Sequence, residues 1–454
     1  MKKIQSYIIM SGLITAALIT SCGVDRSGEY YALIETQSWM YETMQQEYLY
    51  YQDMPNKDNV DFFKKPSDLL NSLASSKDKK GGSTFSHIDS IFPASKSYTT
   101  TPTYGFEGTI IRANDGSNAI RVLYVQKDSP ASEKGLKRGD LIIAANDKKI
   151  GNNDLFYITD PKEAYTFTLG KLNEVDFDTL GTVTMPSPQI IVNKNLYECH
   201  VINIGAKKAM YICYNEFGGE DDIAQILSLF KNIAGQNIND IILDLRYNPG
   251  GYVETSQILS TNLAPQEAIG NVFLKMTHND KMDRQDIYNF EEQHLANATT
   301  LPYGNLYIIT SNFTASASEI VINCLKPYMK ERLIQVGTNT FGKNVAQQRF
   351  TDEVKAPMLE FWLTNSLLSN SEDFSDYFTN GLKPDFEIAE NVKGELGELG
   401  TEKDSLMLPI LYHMQNGSFP IIETPETETN SRGINSAENF KSSIGLKPKS
   451  AIIK

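Results

Sequence analysis

The chain has 454 residues, 41% hydrophobic and 22% charged, with a formal net charge of −14. That length allows two or three domains, and the acidic balance argues against a nucleic-acid protein, for which a basic face is expected.

From the start, Lys2 and Lys3 precede an apolar run, Ile8 to Ile19, which reads as a signal peptide over residues 1–21. The run is shorter than the ~20 residues a bilayer needs. Ile19-Thr20-Ser21-Cys22 resembles a lipobox, which implies lipidation at Cys22 and a membrane anchor. Gly23 and Val24 follow, and the absence of an Asp after the cysteine favours the outer membrane of a bacterial envelope. Residues 22–98 read as an N-terminal helical domain, with Trp39, Met40, Met44, Tyr48 and Tyr51 near a helical period and a second helix start at Pro66. An aromatic stripe of this kind reads as core.

Residues 99–188 change period. Alternating apolar residues in Gly108–Ile111 and Ile120–Val125, a short helix closed by Gly135, a turn at Gly139 and a strand from Leu141 describe a small β-domain. It resembles a PDZ domain, with Tyr104-Gly105-Phe106 where that family binds a chain-terminal carboxylate. The resemblance implies a peptide added as a strand to the sheet edge.

Pro186-Ser187-Pro188 marks a boundary, and residues 189–422 then alternate strands and helices. Ala209–Tyr214 reads as a strand, Ile223, Ile226, Leu227, Phe230 and Ile233 as a helix face ending near Gly235, and Ile238–Leu245 as a buried strand. This α/β order places a site at the carboxyl edge of the sheet, at Asn248-Pro249-Gly250-Gly251. Asp404 to Met414 reads as a last helix, and residues 423–454 as a polar, disordered or loosely attached tail. Cys199, Cys213 and Cys324 lie in apolar runs and read as core, a Cys199–Cys213 hairpin disulfide staying open; with no close Cys-x-x-Cys pair, their spacing argues against a zinc site.

The chemistry centres on Thr314-Ala315-Ser316-Ala317-Ser318-Glu319-Ile320, between the apolar run Leu306–Thr310 and the helical pattern Ile320, Val321, Cys324, Leu325. A serine at such a handover sits beside free N–H groups of a helix start, which suit an oxyanion. None of the five histidines lies in a Gly-rich or turn-like setting, whereas Lys343 follows Gly342 with Phe341 and Val345 as apolar cover. A lysine serves as base only when neutral.

Thr-Ala-Ser-Ala-Ser-Glu-Ile, then Phe-Gly-Lys-x-x-x-Gln, resembles the carboxyl-terminal processing proteases, the tail-specific serine endopeptidases. The resemblance implies Ser316 as nucleophile, Lys343 as base and Gln347 as the residue that orients it. It implies oxyanion donors at Gly250, or Gly251, within Asp244-Leu245-Arg246-Tyr247-Asn248-Pro249-Gly250-Gly251, and at Ala317. Ser318 and Glu319 read as helix-start residues. The implied fold is α/β with a crotonase/Clp-protease-like ββα core, an inserted or preceding PDZ-like β-domain and a small N-terminal helical domain. No cofactor or metal is implied, and the partners are protein or peptide substrates and a membrane, with oligomeric state open.

Three rival readings remain. Gly337–Lys343 fits the first seven places of a P-loop, but Asn344 replaces the Ser or Thr and a strand-like run follows. A catalytically inactive peptide-binding lipoprotein of the same fold is the second, and ester or other acyl-transfer chemistry on the same dyad the third.

Overall fold

The computed structural model describes residues 34–90, 101–192, 194–421, 441–447 and 451–453. The expected signal peptide and Cys22 lie outside them. Among the described residues no helix is long and apolar enough to cross a membrane.

The helical period near Trp39 becomes α1 (Glu35–Glu47), which buries Trp39, Met40 and Met44; α2 (Pro66–Leu73) starts on Pro66, whose missing N–H costs nothing at a helix start. Both pack on Phe361 and Leu363 of the peptidase region. The N-terminal region is not helical throughout. Strand β1 (His87–Ser90) pairs antiparallel with the long strand β16 described below.

The next region is an antiparallel sheet of β2 (Phe106–Arg112), β3 (Asn118–Val125), β4 (Leu141–Ala145), β5 (Thr166–Leu172) and β6 (Phe177–Thr184), in that order. It has its own apolar core around Phe106, Val122, Ile142 and Phe167. Strand β2 is an edge.

A central sheet follows. Strands β7 (Leu196–Ile204) and β8 (Lys207–Tyr214) form a hairpin, and α3 (Glu220–Ile233) crosses to β9 (Asp240–Asp244), parallel to β8. Then come β13 (Leu306–Thr310), β14 (Leu333–Gly337) and β17 (Phe386–Glu387), giving the order β7-β8-β9-β13-β14-β17. Residues of β9 and β13 are all buried, as continuous apolar strands in a sheet covered on both faces should be. Helix α4 (Val253–Leu263) and helix α5 (Ala317–Met329) contribute Ile258, Leu259, Ile320, Val321 and Leu325 to the core on one face; α6 (Met407–Asn416) closes the other. Cys199 and Cys213 are free: Cys199 faces Ile212 in the hairpin and Cys213 faces Glu198.

A second sheet stands beside the first, in the order β10 (Gly251–Tyr252), β18 (Ala451–Ile453), β15 (Val345–Asp352), β16 (Ala356–Ser369), β11 (Val272–Thr277), β12 (Gln285–Asn289). The expectation of a loose tail over 423–454 therefore fails for its described parts. Residues 451–453 form an inner strand and Ile444 is fully buried. Composition misleads here because so short a segment gains its order from unpaired backbone groups on other strands.

Candidate active site

Strand β9 runs into the Asp244–Gly251 turn and β13 into the Thr314–Ser316 turn, so both arrive at the carboxyl edge of the central sheet. Asn248 fastens one to the other: its carbonyl accepts the Ala315 N–H at 3.1 Å and the Ser318 hydroxyl at 3.1 Å. Thr314 Oγ1 donates to the Leu245 carbonyl at 2.8 Å.

Ser316 caps α5 with φ 60° and ψ −113°, a strained backbone for a residue with a Cβ. Its Oγ lies over the first turn of α5, is buried, and makes no hydrogen bond of good geometry among the described residues. Ala317 is the first residue of α5, so its N–H has no partner inside the helix.

Glu319 is more than a helix-start residue. Its buried carboxylate accepts four hydrogen bonds: Oε2 from the Ser316 N–H at 2.7 Å and the Lys343 N–H at 2.8 Å, Oε1 from Thr340 Oγ1 at 2.5 Å and the Gly342 N–H at 2.6 Å. Burial pushes this carboxyl above its usual range, and the four donors oppose that. The backbones of Ser316 and Lys343 thus meet on one oxygen. Gly342 has φ 93°, and a Cβ there would come within 2.5 Å of the Phe378 carbonyl, so the turn that presents Lys343 requires glycine.

Lys343 is fully buried and its Nζ donates to Gln347 Oε1, four residues on in strand β15. Gln347 Nε2 donates to Thr364 Oγ1 at 3.0 Å, and Thr364 Oγ1 donates to Asp78 Oδ1 at 2.6 Å. Tyr48 OH reaches Asp78 Oδ2 at 3.1 Å. Asp78 is buried; burial pushes its carboxyl up, while hydrogen bonds and the positive Lys343 oppose this. Phe85 places its ring 5.1 Å from Lys343 Nζ. The N-terminal region therefore builds much of the lysine's surroundings, a role its aromatic pattern did not signal.

The histidines are engaged elsewhere. His87 stacks on Trp362, His278 meets Asp286 at 2.9 Å, His413 meets Tyr307 at 2.8 Å, His200 faces the Gly400 carbonyl at 3.3 Å and His294 lies 3.9 Å from Glu291. After Lys343 the chain continues as strand β15, not the helix a P-loop needs.

The two glycines differ. Gly250 gives its N–H to Asn248 Oδ1 at 2.9 Å, so it is not the free donor that the motif suggested. Phe217 donates to the Gly250 carbonyl and accepts from the Tyr252 N–H. Backbone groups alternate along a strand, so the Gly251 N–H points the other way, across the site. A Cβ on Gly251, at φ 140°, would lie 2.1 Å from the Phe217 carbonyl.

Behind this turn, Arg246 bonds Asp244 Oδ1 at 3.0 Å, Asp404 at 2.6 and 2.9 Å and Glu390 at 2.8 Å. Arg138 of the β-domain joins the same cluster through Glu390 at 2.6 Å and the Tyr247 hydroxyl at 2.8 Å. Burial pushes Glu390 up, but Arg138 and Arg246 outweigh it and hold the carboxyl down at about 2.

The expected carboxylate-binding loop looks different. Tyr104 and Phe106 are core side chains, and the Gly105 N–H is taken by Thr103 Oγ1 at 3.1 Å. Ser129 and Ile191 crowd Gly105 so closely that no Cβ fits. As arranged, the side chains of Tyr104 and Phe106 serve packing, and the Gly105 N–H is not offered to a ligand.

Two family models match the chain: peptidase family S41 over residues 208–388, and the peptidase S41 N-terminal domain over residues 35–87. The chain belongs to peptidase family S41. The first match covers β8 through β17 and so holds Ser316, Lys343 and Gln347; the second ends on His87 and holds Asp78 and Phe85. The carboxyl-terminal-processing protease of Picosynechococcus sp. is 27% identical over 246 residues, covering 54% of this chain and 55% of that relative. That of Synechocystis sp. is 24% identical over 258 residues, covering 56% of each. The chain thus matches a little over half the length of these relatives. A crystal structure of an S41 protein from Bacteroides fragilis, 29% identical, superimposes with a TM-score of 0.72 over 84% of this chain and 97% of that one.

Proposed function

We propose that the protein is a serine endopeptidase with a Ser316/Lys343 dyad, anchored by lipid at Cys22 in a bacterial cell envelope, on the outer membrane. The observation that carries the chemistry is the single Glu319 oxygen holding the amides of both Ser316 and Lys343, with Lys343 buried and aimed by Gln347. Burial favours the neutral amine, the form a base needs.

Neutral Lys343 takes the Ser316 proton as Oγ attacks the peptide carbonyl. The N–H groups of Gly251 and Ala317 receive the oxyanion. Lys343 returns its proton to the leaving amine, and water resolves the acyl-enzyme by the reverse path. The substrates are unfolded or tail-tagged proteins and peptides, with the PDZ-like β-domain as a second grip on the polypeptide.

The test is hydrolysis of a chemically unfolded protein by wild type, Ser316→Ala and Lys343→Ala across pH. Both variants are expected to lose at least 1,000-fold in turnover, and the wild-type rate to rise with pH. Activity surviving in Ser316→Ala overturns the assignment. Binding of peptide without turnover in all three favours the inactive peptide-binding protein instead.

A further inference from the structure

The four hydrogen bonds that Glu319 accepts all come from neutral groups: three backbone N–H groups and the Thr340 hydroxyl. Two donors meet each oxygen, and a protonated carboxyl would turn its own O–H against one of them, so the group is ionised. A fully buried anion needs a compensating cation. Lys343 cannot serve while it acts as base, because it is then neutral.

A second lysine stands behind the same turn. Lys79–Lys80 and Ser83–Thr84 form a two-stranded hairpin in the N-terminal region, joined by the tight Gly81–Gly82 turn. Lys80 Nζ reaches from it into the peptidase region. It donates to the carbonyls of Phe378 and, at 3.2 Å, of Thr379, and lies 5.3 and 5.2 Å from the ring centres of Phe341 and Phe378. Carbonyl oxygens and ring faces favour an ammonium over a neutral amine. A Cβ on Gly342 would come within 2.5 Å of this Nζ, and the Gly342 N–H donates to Glu319 Oε1 at 2.6 Å. One glycine thus separates the cation from the carboxylate. Burial pulls the half-buried Lys80 ammonium down, and the negative Glu319 opposes that.

The other titratable groups nearby are neutral, negative or turned away. Lys79 donates to the Asn71 carbonyl at 3.1 Å, outside the site. Tyr377 faces Glu319, and Cys324 of α5 faces Tyr377; burial pushes both up, so both stay neutral. Asp78 acts on Lys343 from the Gln347–Thr364 side, with Tyr48 and Tyr50 behind it, neutral for the same reason.

We propose that Lys80 is the standing counter-ion of Glu319 and so a positioning residue for the dyad, its positive charge behind the Gly342 turn letting Glu319 be an anion while Lys343 is a neutral amine. The proposal rests on the endopeptidase reading above and adds to it a residue of the N-terminal region. Without Lys80, the buried carboxylate is balanced by a proton kept on Lys343 or taken up by Glu319 itself. The first removes the base, and the second disturbs the bonds that hold the turns of Ser316 and Lys343.

The test uses the full chain as wild type, Lys80→Met, Lys80→Gln and Lys80→Arg. It measures kcat/KM on reduced, alkylated protein and the rate of Ser316 labelling by a fluorophosphonate across pH, with melting temperature in parallel. Lys80→Met removes the charge at similar length, and Lys80→Gln keeps an N–H donor for the Phe378 carbonyl. Both are expected to run about 10-fold slower than wild type at neutral pH, with the gap closing as pH rises, because loss of a neighbouring cation makes Lys343 harder to deprotonate. Lys80→Arg is expected to keep the wild-type pH profile. A pH profile unmoved in the folded Met and Gln variants, whether or not the rate falls, reduces Lys80 to packing and overturns the proposal. So does failure of both neutral variants to fold, or an Arg variant displaced as far as the Met variant. Each of these outcomes leaves the endopeptidase reading standing if wild type is labelled at Ser316 and hydrolyses the substrate; a wild type that does neither strikes at that reading itself.

Discussion

The two sides of the site are built in opposite ways. The Ser316 side is local: its turn is held by Asn248 and Leu245 of the neighbouring loop and by Glu319, three residues on. The Lys343 side is assembled from distant parts of the chain. Gln347 leans on Thr364, Thr364 on Asp78, and Phe85 covers the amine, so residues about 260 positions upstream set the base's surroundings. A nucleophile needs a rigid turn and free amides, which a short motif encodes. A lysine base needs exclusion from water and a tuned charge balance, which only tertiary packing provides.

The largest effect should come where the two sides meet. Glu319→Ala leaves the amides of Ser316, Gly342 and Lys343 and the Thr340 hydroxyl buried without their acceptor. At about 1–3 kcal/mol for each orphaned group, the loss is several kcal/mol, and hydrolysis should vanish. Thermal unfolding and turnover check this together; near-wild-type stability would break the picture of one carboxylate joining both sides.

Gln347→Leu keeps the volume but removes the acceptor from Lys343. Turnover on an unfolded protein should fall by about 100-fold, the low end of general-base contributions, with little change in melting temperature. A comparable loss in stability would mean that Gln347 serves packing rather than orientation.

Asp78→Asn sharpens the comparison through pH. Lys343 favours ionised Asp78, so by the same coupling the carboxylate favours the ammonium form of Lys343. Removing that charge makes the amine easier to deprotonate. The rise of kcat/KM with pH should move to lower pH. Tyr48 and Tyr50 also face Asp78, and Asp53 lies near Tyr50; burial pushes both phenols up, so they stay neutral through this range. A uniform drop at every pH, with the limb in place, would reduce Asp78 to a packing role.

The smallest effect belongs to Ser318→Ala, which removes one hydroxyl bond to the Asn248 carbonyl. A cost of about 1 kcal/mol in stability and a change of only a few-fold in turnover are expected. A loss as deep as that of Ser316→Ala would transfer the nucleophile's role to Ser318.

What was legible in the sequence follows the same division. The strand–turn–helix around Ser316 and the helix from Glu220 showed in their apolar spacing, because each buries a face along its own length. Gly251 could be named from its motif, but its separation from Gly250 could not, since it depends on which carbonyl Phe217 meets. Asp78 carried no signal: it sits in a polar run, and its burial arises only when β1 joins β16. Ile452 and Ile453 were hidden for a related reason, in a segment too short and polar to read as a strand until two open edges receive it.

The most direct measurement is covalent labelling by a fluorophosphonate, with the modified residue located by peptide mapping, in wild type and Lys343→Ala across pH. The account expects one adduct, on Ser316, forming faster as pH rises and at least 100-fold more slowly in folded Lys343→Ala. An adduct on Ser318 or elsewhere, or a Ser316 rate indifferent to Lys343→Ala, would contradict it.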